Sequence, residues 1–164
     1  MNGQKIIDFA LQFAGKKDNQ IFRDWFYGKP GITTADCAVF GSYCYAKCGF
    51  PLGKGDYLNG WASVPNALKH YTATNEVTQF PQAGDIVILG WDCKTPEHWA
   101  MFIKDNGDGT IHTVEANKSN PQAQSTSEAN GGWTMEKNRP KKFVIAYIHP
   151  KVLDVQLPLN GTII

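Results

Sequence analysis

The stretch Cys37-Ala38-Val39-Phe40-Gly41-Ser42-Tyr43-Cys44-Tyr45-Ala46 constrains this chain more than any other. It is apolar almost all round, and a helix without a polar face has to be buried. Its punctuation is that of a helix: Asp36 stands at the N-cap position, Gly49 lies just past the last apolar turn, and Pro51 blocks resumption. The rest of the chain must therefore pack around a central helix that begins at Cys37. A helix N-terminus carries partial positive charge and unpaired N–H groups, which favour a thiolate over a thiol. Cys37 reads either as a nucleophile or as one more small core residue, since free cysteine is among the most buried residue types.

Around this helix the chain changes texture once. Ile6, Ile7, Ala10, Leu11 and Ala14 recur at spacings of three and four, which predicts an amphipathic helix over residues 4–16 ending near Gly15. Trp25, Phe26, Tyr27 and Gly28 are read as a loop, and Val64 to Tyr71 as a third helix. After Pro81 come short β-rich runs: Asp85 to Trp91, His98 to Lys104, Thr110 to Ala116 and Lys142 to His149. Asp105-Asn106-Gly107-Asp108-Gly109 is expected to join two of them as a hairpin loop rather than hold calcium, because Gly107 falls where a second oxygen ligand is needed. Helices first and an antiparallel sheet afterwards make an α+β fold. Residues 118–132, rich in Asn, Ser, Gln and Gly, are expected to form a long loop beside a site, and residues 151–164 a linker or C-terminal tail after a domain spanning 1–150.

Composition removes several classes of partner. With 16 basic and 15 acidic residues the net charge is +1, so no bulk electrostatic case exists for nucleic acid or for an anionic membrane surface. No apolar run approaches the ~20 residues that span a bilayer, and no signal-peptide core follows Met1, so membrane insertion is not expected and synthesis is expected in the cytoplasm. The chain of 164 residues suits one domain with a real core. Its four cysteines are expected to be reduced thiols, since Cys44 and Cys48 lie one helical turn apart, where a disulfide fits poorly.

A cysteine nucleophile needs a base, and the base needs an acceptor on its other nitrogen. Among four histidines, His70 at a helix end and His149 before Pro150 have ordinary surface explanations, and His112 lies mid-strand on the face opposite Glu115. His98 opens a strand directly after the loop Trp91-Asp92-Cys93-Lys94-Thr95-Pro96-Glu97, where a base can be both held and reached. Alternation puts Glu115 and Asn117 on one face at the end of the next strand, and pairing through the hairpin would bring His98 and Glu115 to matching ends. Glu97 is the rival carboxylate, but as a strand neighbour of His98 it points to the other face. Trp25, Trp61, Trp91, Trp99 and Trp133 are read as groove-lining or as partly buried, with Trp91 and Trp99 the candidates for substrate contact. A zinc-binding structural or interaction module built from Cys44, Cys48, Cys93 and His98 is the alternative, because Cys-x3-Cys and Cys-x4-His fall near ligand spacings.

Several segments together resemble the CHAP family, the cysteine, histidine-dependent amidohydrolases and peptidases of bacterial and phage cell-wall lysins. They are Trp25-Phe26-Tyr27-Gly28 before Asp36-Cys37-Ala38-Val39-Phe40, Pro81-Gln82-Ala83-Gly84-Asp85-Ile86-Val87 leading to Glu97-His98, and Val114-Glu115-Ala116-Asn117. Gly131-Gly132-Trp133, Arg139 and Val144-Ile145-Ala146-Tyr147-Ile148 are similar to that family's closing part. The separations are 98 − 37 = 61 and 115 − 98 = 17 residues. The resemblance implies a papain-like fold of N-terminal helices on an antiparallel sheet and hydrolysis of an amide bond of bacterial peptidoglycan by an amidase or endopeptidase. It implies Cys37 as nucleophile, His98 as base and later acid, Glu115 as the group that orients His98, and Asn117 as a polar partner. It calls for no cofactor. The segment before Cys37 lacks the spaced aspartates of calcium-binding members, and Asp36 stands where those members have Gln, so no metal is expected. A phage-encoded lysin, with a separate wall-binding domain or subunit, is the setting such a domain implies.

Overall fold

A computed structural model describes residues 2–17, 19–32, 36–118 and 132–155. Among the described residues four helices come first: α1 (Asn2–Leu11), α2 (Asn19–Tyr27), α3 (Cys37–Lys47) and α4 (Val64–Ala73). Six strands follow: β1 (Val77–Thr78), β2 (Ile86–Leu89), β3 (His98–Asp105), β4 (Thr110–Lys118), β5 (Trp133–Pro140) and β6 (Val144–Ile148). They form one antiparallel sheet in the order β1-β6-β2-β3-β4-β5. The fold is α+β, as expected, and the helices-then-sheet order is consistent with a papain-like arrangement.

The apolar run forms α3, with every residue from Cys37 to Tyr45 buried. It ends as its sequence dictates, with Gly49 in the left-handed region at φ 91° and the Gly49 N–H bonded back to Ala46 O. Its start differs from expectation. Asp36 occupies the N-cap position but makes no capping hydrogen bond, and its buried carboxylate accepts from Arg23 Nη2 at 3.3 Å.

The segment read as a loop around Trp25 is helix α2. Phe22 and Phe26, four residues apart, are both buried, and the Phe22 ring packs on Phe13, Phe40 and Tyr43 at 4.8–5.0 Å. The i,i+4 spacing carried the helical signal, and the clustered aromatics obscured it. α1 is shorter than its pattern, because the N–H groups of Gln12, Phe13 and Ala14 turn to carbonyls three residues back. Gly15 N then bonds Thr134 O, and Lys16 bridges to Thr134, so β5 pulls the chain out of the helix. Two strands are additional to the four expected. β1 is two residues long, and β5 alternates half-buried positions with Glu136 and Asn138, too polar to stand out as a strand.

Side-chain alternation divides the sheet's two faces. Ile86, Ile88, Trp99, Met101, Val114, Ala116 and Ile148 join the helices in the main core. Val87, Leu89, Ala100, Phe102 and Ile111 form a second cluster, with Phe143, Val144 and Tyr147 packed on it. α3 lies very close to β3: a Cβ on Gly41 would come 2.4 Å from Trp99 Nε1. One turn further on, Tyr45 Oη donates to Gly84 O, and the N–H of Gly84 bonds Phe102 O. The helix and the strand therefore run in the same direction.

The segment after β6 does not simply leave the domain. A 3-10 turn at Lys151–Asp154 buries Leu153, and Asn2 Nδ2 donates to the carbonyls of Leu153 at 2.8 Å and Val155 at 3.0 Å. Residues 156–164, and 119–131 of the expected long loop, lie outside the described residues. His149, read as a surface residue, is wedged between two carboxylates, with Nδ1 2.6 Å from the fully buried Asp85 and Nε2 3.0 Å from Asp154. Burial works against its imidazolium, but the carboxylates of Asp154 and Asp85 outweigh it and hold the pKa above the usual histidine value.

Two outcomes follow. Gly41→Ala is expected to lower stability by about 1–3 kcal/mol, read by urea denaturation, since the added methyl must displace the Trp99 ring. For His149, a native pKa raised above the unfolded value means a stabilising contribution complete below about pH 6.5 and lost as pH rises through the native pKa. The melting-temperature gap between wild type and His149→Gln should therefore be widest at pH 6 and narrower at pH 9.

Candidate active site

The site is built where three strands and one helix end meet. Cys37 is the first residue of α3 and is 6% exposed. Because Gly41 meets Trp99 and the helix runs along β3, the turn that begins with Cys37 overruns Trp99 toward the end of the strand that His98 opens. His98 is in phase with Ala100 and Phe102, on the sheet face away from Trp99. Its side chain is nearly buried, and its Nε2 lies 2.9 Å from Glu115 Oε2. The expectation that the β3–β4 hairpin brings these two to matching ends holds. An ionised carboxylate can only accept, so toward an ionised Glu115 the His98 Nε2 carries the proton.

Glu115 is fully buried, and its two oxygens are held from three strands. Oε1 accepts from Thr113 Oγ1 at 2.6 Å and from Arg139 Nε at 2.8 Å. Oε2 accepts from Arg139 Nη2 at 2.7 Å in addition to His98. A buried carboxylate loses its hydration, and a bidentate guanidinium with two further donors offsets that loss. Sequence reasoning assigned no role to Thr113 and Arg139. Thr113 was legible as the same-face neighbour two residues before Glu115. Arg139 was not, because strand β5 itself was not read.

The rival carboxylate is occupied elsewhere, since Glu97 Oε2 accepts from the Trp91 N–H at 2.8 Å and ties the 91–97 loop to itself. Asp92 accepts from the N–H groups of Lys94 and Thr95 and from the Thr95 hydroxyl, which closes the same loop. The loop thereby sets the Trp91 ring roughly parallel to His98, with centroids 6.0 Å apart, and edge-on to Phe143. Trp91 is 42% exposed. Trp99 is not: at 1% exposure it is a core residue wedged under Gly41, and its reading as a substrate contact is wrong. A β-strand sends consecutive residues to opposite faces, so Trp99 had to enter the core once His98 faced away from it. Trp61 is buried too, while Trp25 and Trp133 are half-buried. Asn117 lies on β4, and its side chain is outside the described part of the structure.

The four residues of the zinc alternative are not brought together. Cys44 and Cys48 are buried on the helical side, where burial raises both thiol pKa values. Cys93 is exposed in the 91–97 loop, and His98 is engaged with Glu115 on the other sheet face. Among the described residues no group of three or more His, Cys, Asp or Glu is placed to hold a metal ion. All four cysteines are free thiols, as expected.

The helices pack on one antiparallel sheet, with a thiol at the start of a helix and a carboxylate-bound histidine at the start of a strand. The CHAP domain model matches residues 26–117, more than half of the chain, and the protein belongs to the CHAP-domain family, whose members are hydrolases of the amidase and peptidase type that act on peptidoglycan. The matched span contains Cys37, His98, Glu115 and Asn117 but ends before Arg139. No curated protein and no solved structure matches the chain significantly. Among the described residues no helix is long and apolar enough to cross a membrane.

Replacing Glu115 by Gln keeps the shape but leaves the Arg139 guanidinium without its carboxylate. A stability loss of about 3 kcal/mol is expected in urea denaturation. Turnover should fall less than in Cys37→Ala or His98→Ala, because His98 keeps an acceptor at Nε2.

Proposed function

We propose that this domain hydrolyses an amide bond of bacterial peptidoglycan through the Cys37 thiolate. The observation that carries the reading is the His98–Glu115 hydrogen bond of 2.9 Å at the start of β3, the end of the strand at which α3 also begins. Family membership supplies the substrate class.

In this mechanism His98 Nδ1 takes the Cys37 proton, and the thiolate attacks the amide carbonyl carbon. The oxygen that gains the negative charge sits at the positive end of α3, with the Cys37 backbone N–H as one donor. His98 gives its proton to the departing amine, the C–N bond breaks and a thioester remains. Water then loses a proton to Nδ1 and attacks the thioester, which releases the carboxylic acid and regenerates the thiolate. Glu115 holds the Nε2–H throughout and stabilises the imidazolium. Asn117 is assigned as a polar partner of the same site, and the exposed Trp91 as a contact for the sugar or peptide portion of the substrate. No step requires a metal or an organic cofactor.

The bond is the N-acetylmuramoyl-L-alanine amide or a peptide bond of the stem or cross-bridge, and the new termini separate them. The setting we favour is a phage-encoded lysin made in the cytoplasm and acting on the wall, with wall recognition in this domain or in a separate module.

Purified wild-type protein should release soluble fragments from cell walls, with mass spectrometry identifying one new amine and one new carboxylate per cut. Cys37→Ala should abolish release while leaving the circular dichroism spectrum unchanged. Cys44→Ala, Cys48→Ala and Cys93→Ala should retain activity, with a loss of about 1 kcal/mol or more in stability at the two buried positions. Full activity in Cys37→Ala would sink the mechanism.

A further inference from the structure

We infer that Arg139 is a positioning residue that sets the pH range in which the Cys37–His98 pair is reactive. It acts by keeping Glu115 ionised and aimed at His98. The catalytic consequence rests on the proposed hydrolase reading; the effect on Cys37 can be measured without any substrate.

Three observations carry the assignment. First, the guanidinium grips both oxygens of Glu115, at 2.8 Å from Nε and 2.7 Å from Nη2, and the second of these oxygens is the one that meets His98. A fork of this kind fixes the plane of the carboxylate as well as its charge, which a point charge does not. Second, Glu115 is fully buried, so without a cation beside it the carboxylate would be desolvated and driven to take up a proton. A protonated Glu115 supports an imidazolium on His98 poorly. Third, Arg139 is itself held on its other side, with its guanidinium carbon 4.9 Å from the centroid of the Trp91 ring. The same ring stacks on His98. One indole thus covers both ends of the chain of contacts from Arg139 through Glu115 to His98, and a cation on an aromatic face gains further from the exclusion of water.

The charged and titratable groups tied to Arg139 are Glu115 on β4 directly and His98 on β3 through Glu115, with Lys137 in phase on β5. Asp92 accepts within its own loop and Glu97 accepts from the Trp91 N–H, while Arg139 donates to both oxygens of Glu115. Glu115 is the carboxylate the guanidinium serves. The role of Arg139 is argued from its two hydrogen bonds to Glu115 and its place on the Trp91 ring.

The test is the pH dependence of iodoacetamide alkylation at Cys37, followed by peptide mass spectrometry so that the exposed Cys93 does not interfere. In wild type the ionised Glu115 supports the His98 imidazolium, and through it the Cys37 thiolate. In Arg139→Met, Glu115 takes a proton, the imidazolium loses support, and the onset of alkylation should move up by about one pH unit or more. Arg139→Lys keeps the charge but not the fork, and its onset should lie between those two. If Arg139→Met proves unfolded by circular dichroism, Arg139→Gln carries the same expectation. Wall-lysis rates should show their acidic limb displaced in the same direction.

An onset that stays in place or moves to lower pH overturns the inference. So does a uniform loss of rate at every pH, which is what a merely structural arginine would give. A wild type whose Cys37 titrates as expected but which cuts no wall would overturn the hydrolase reading and leave this role of Arg139 standing.

Discussion

Glu115 is the constraint on which the rest of the site depends. A carboxylate with no solvent exposure is tolerated only when its oxygens are fully bonded, and here the donors come from β3, β4 and β5 at 2.6–2.9 Å. Satisfying it therefore fixes the relative register of three strands. A slip of one residue in any of them would turn a donor to the opposite face and leave a buried charge short of partners. The ladder between β3 and β4 contains an irregularity at Phe102/Lys104, and that between β4 and β5 another at Glu115/Lys118, so pairing near Glu115 departs from a regular ladder. Such irregularities re-aim side chains where a functional cluster needs them.

The second constraint is the contact between α3 and β3. Gly41 lets the helix lie directly on the Trp99 indole, and Tyr45 anchors the following turn through Gly84. The position of Cys37 is then a consequence of rigid elements rather than of a loop. The loop that does border the site, residues 91–97, is tied down by the side chains of Asp92 and Glu97 and by the Gly90 N–H to Phe143 O. Scaffold and loop together hold Trp91 over His98. In the mechanism we propose, that leaves little reorganisation for the reacting groups.

Legibility in the sequence followed the strength of the local signal. α3 was plain because a ten-residue apolar run with Gly and Pro after it has few other outcomes, and the β3–β4 hairpin was plain from its Gly-rich turn between alternating runs. The pairing of His98 with Glu115 followed from the hairpin and from period-two alternation, both local properties. α2 was lost because its five aromatic and aliphatic residues sit among Asn, Gln, Arg and Asp, so that helix and loop look alike. β5 was lost because a half-buried strand at the sheet's edge can be largely polar. With it went Arg139, which was recognised only as part of a resembling segment. Trp99 was misread for another reason: aromatic character cannot say which face of a strand is covered by a helix.

The sequence alone determined the α+β order, the buried helix starting at Cys37, the family, and the candidate set of Cys37, His98 and Glu115. Each of these is written in residues close together or in motifs whose spacing survives without knowledge of the fold. Only the tertiary structure decided that Glu97 serves the loop, that Asp36 bonds Arg23 instead of capping α3, and that His149 joins Asp85 and Asp154. It alone decided that Arg139 meets Glu115 across 24 residues of sequence. These are choices among partners for a charged group, and a charge takes whichever partner the packing of distant elements brings within about 3 Å of it in a low-dielectric interior. No local pattern records that outcome.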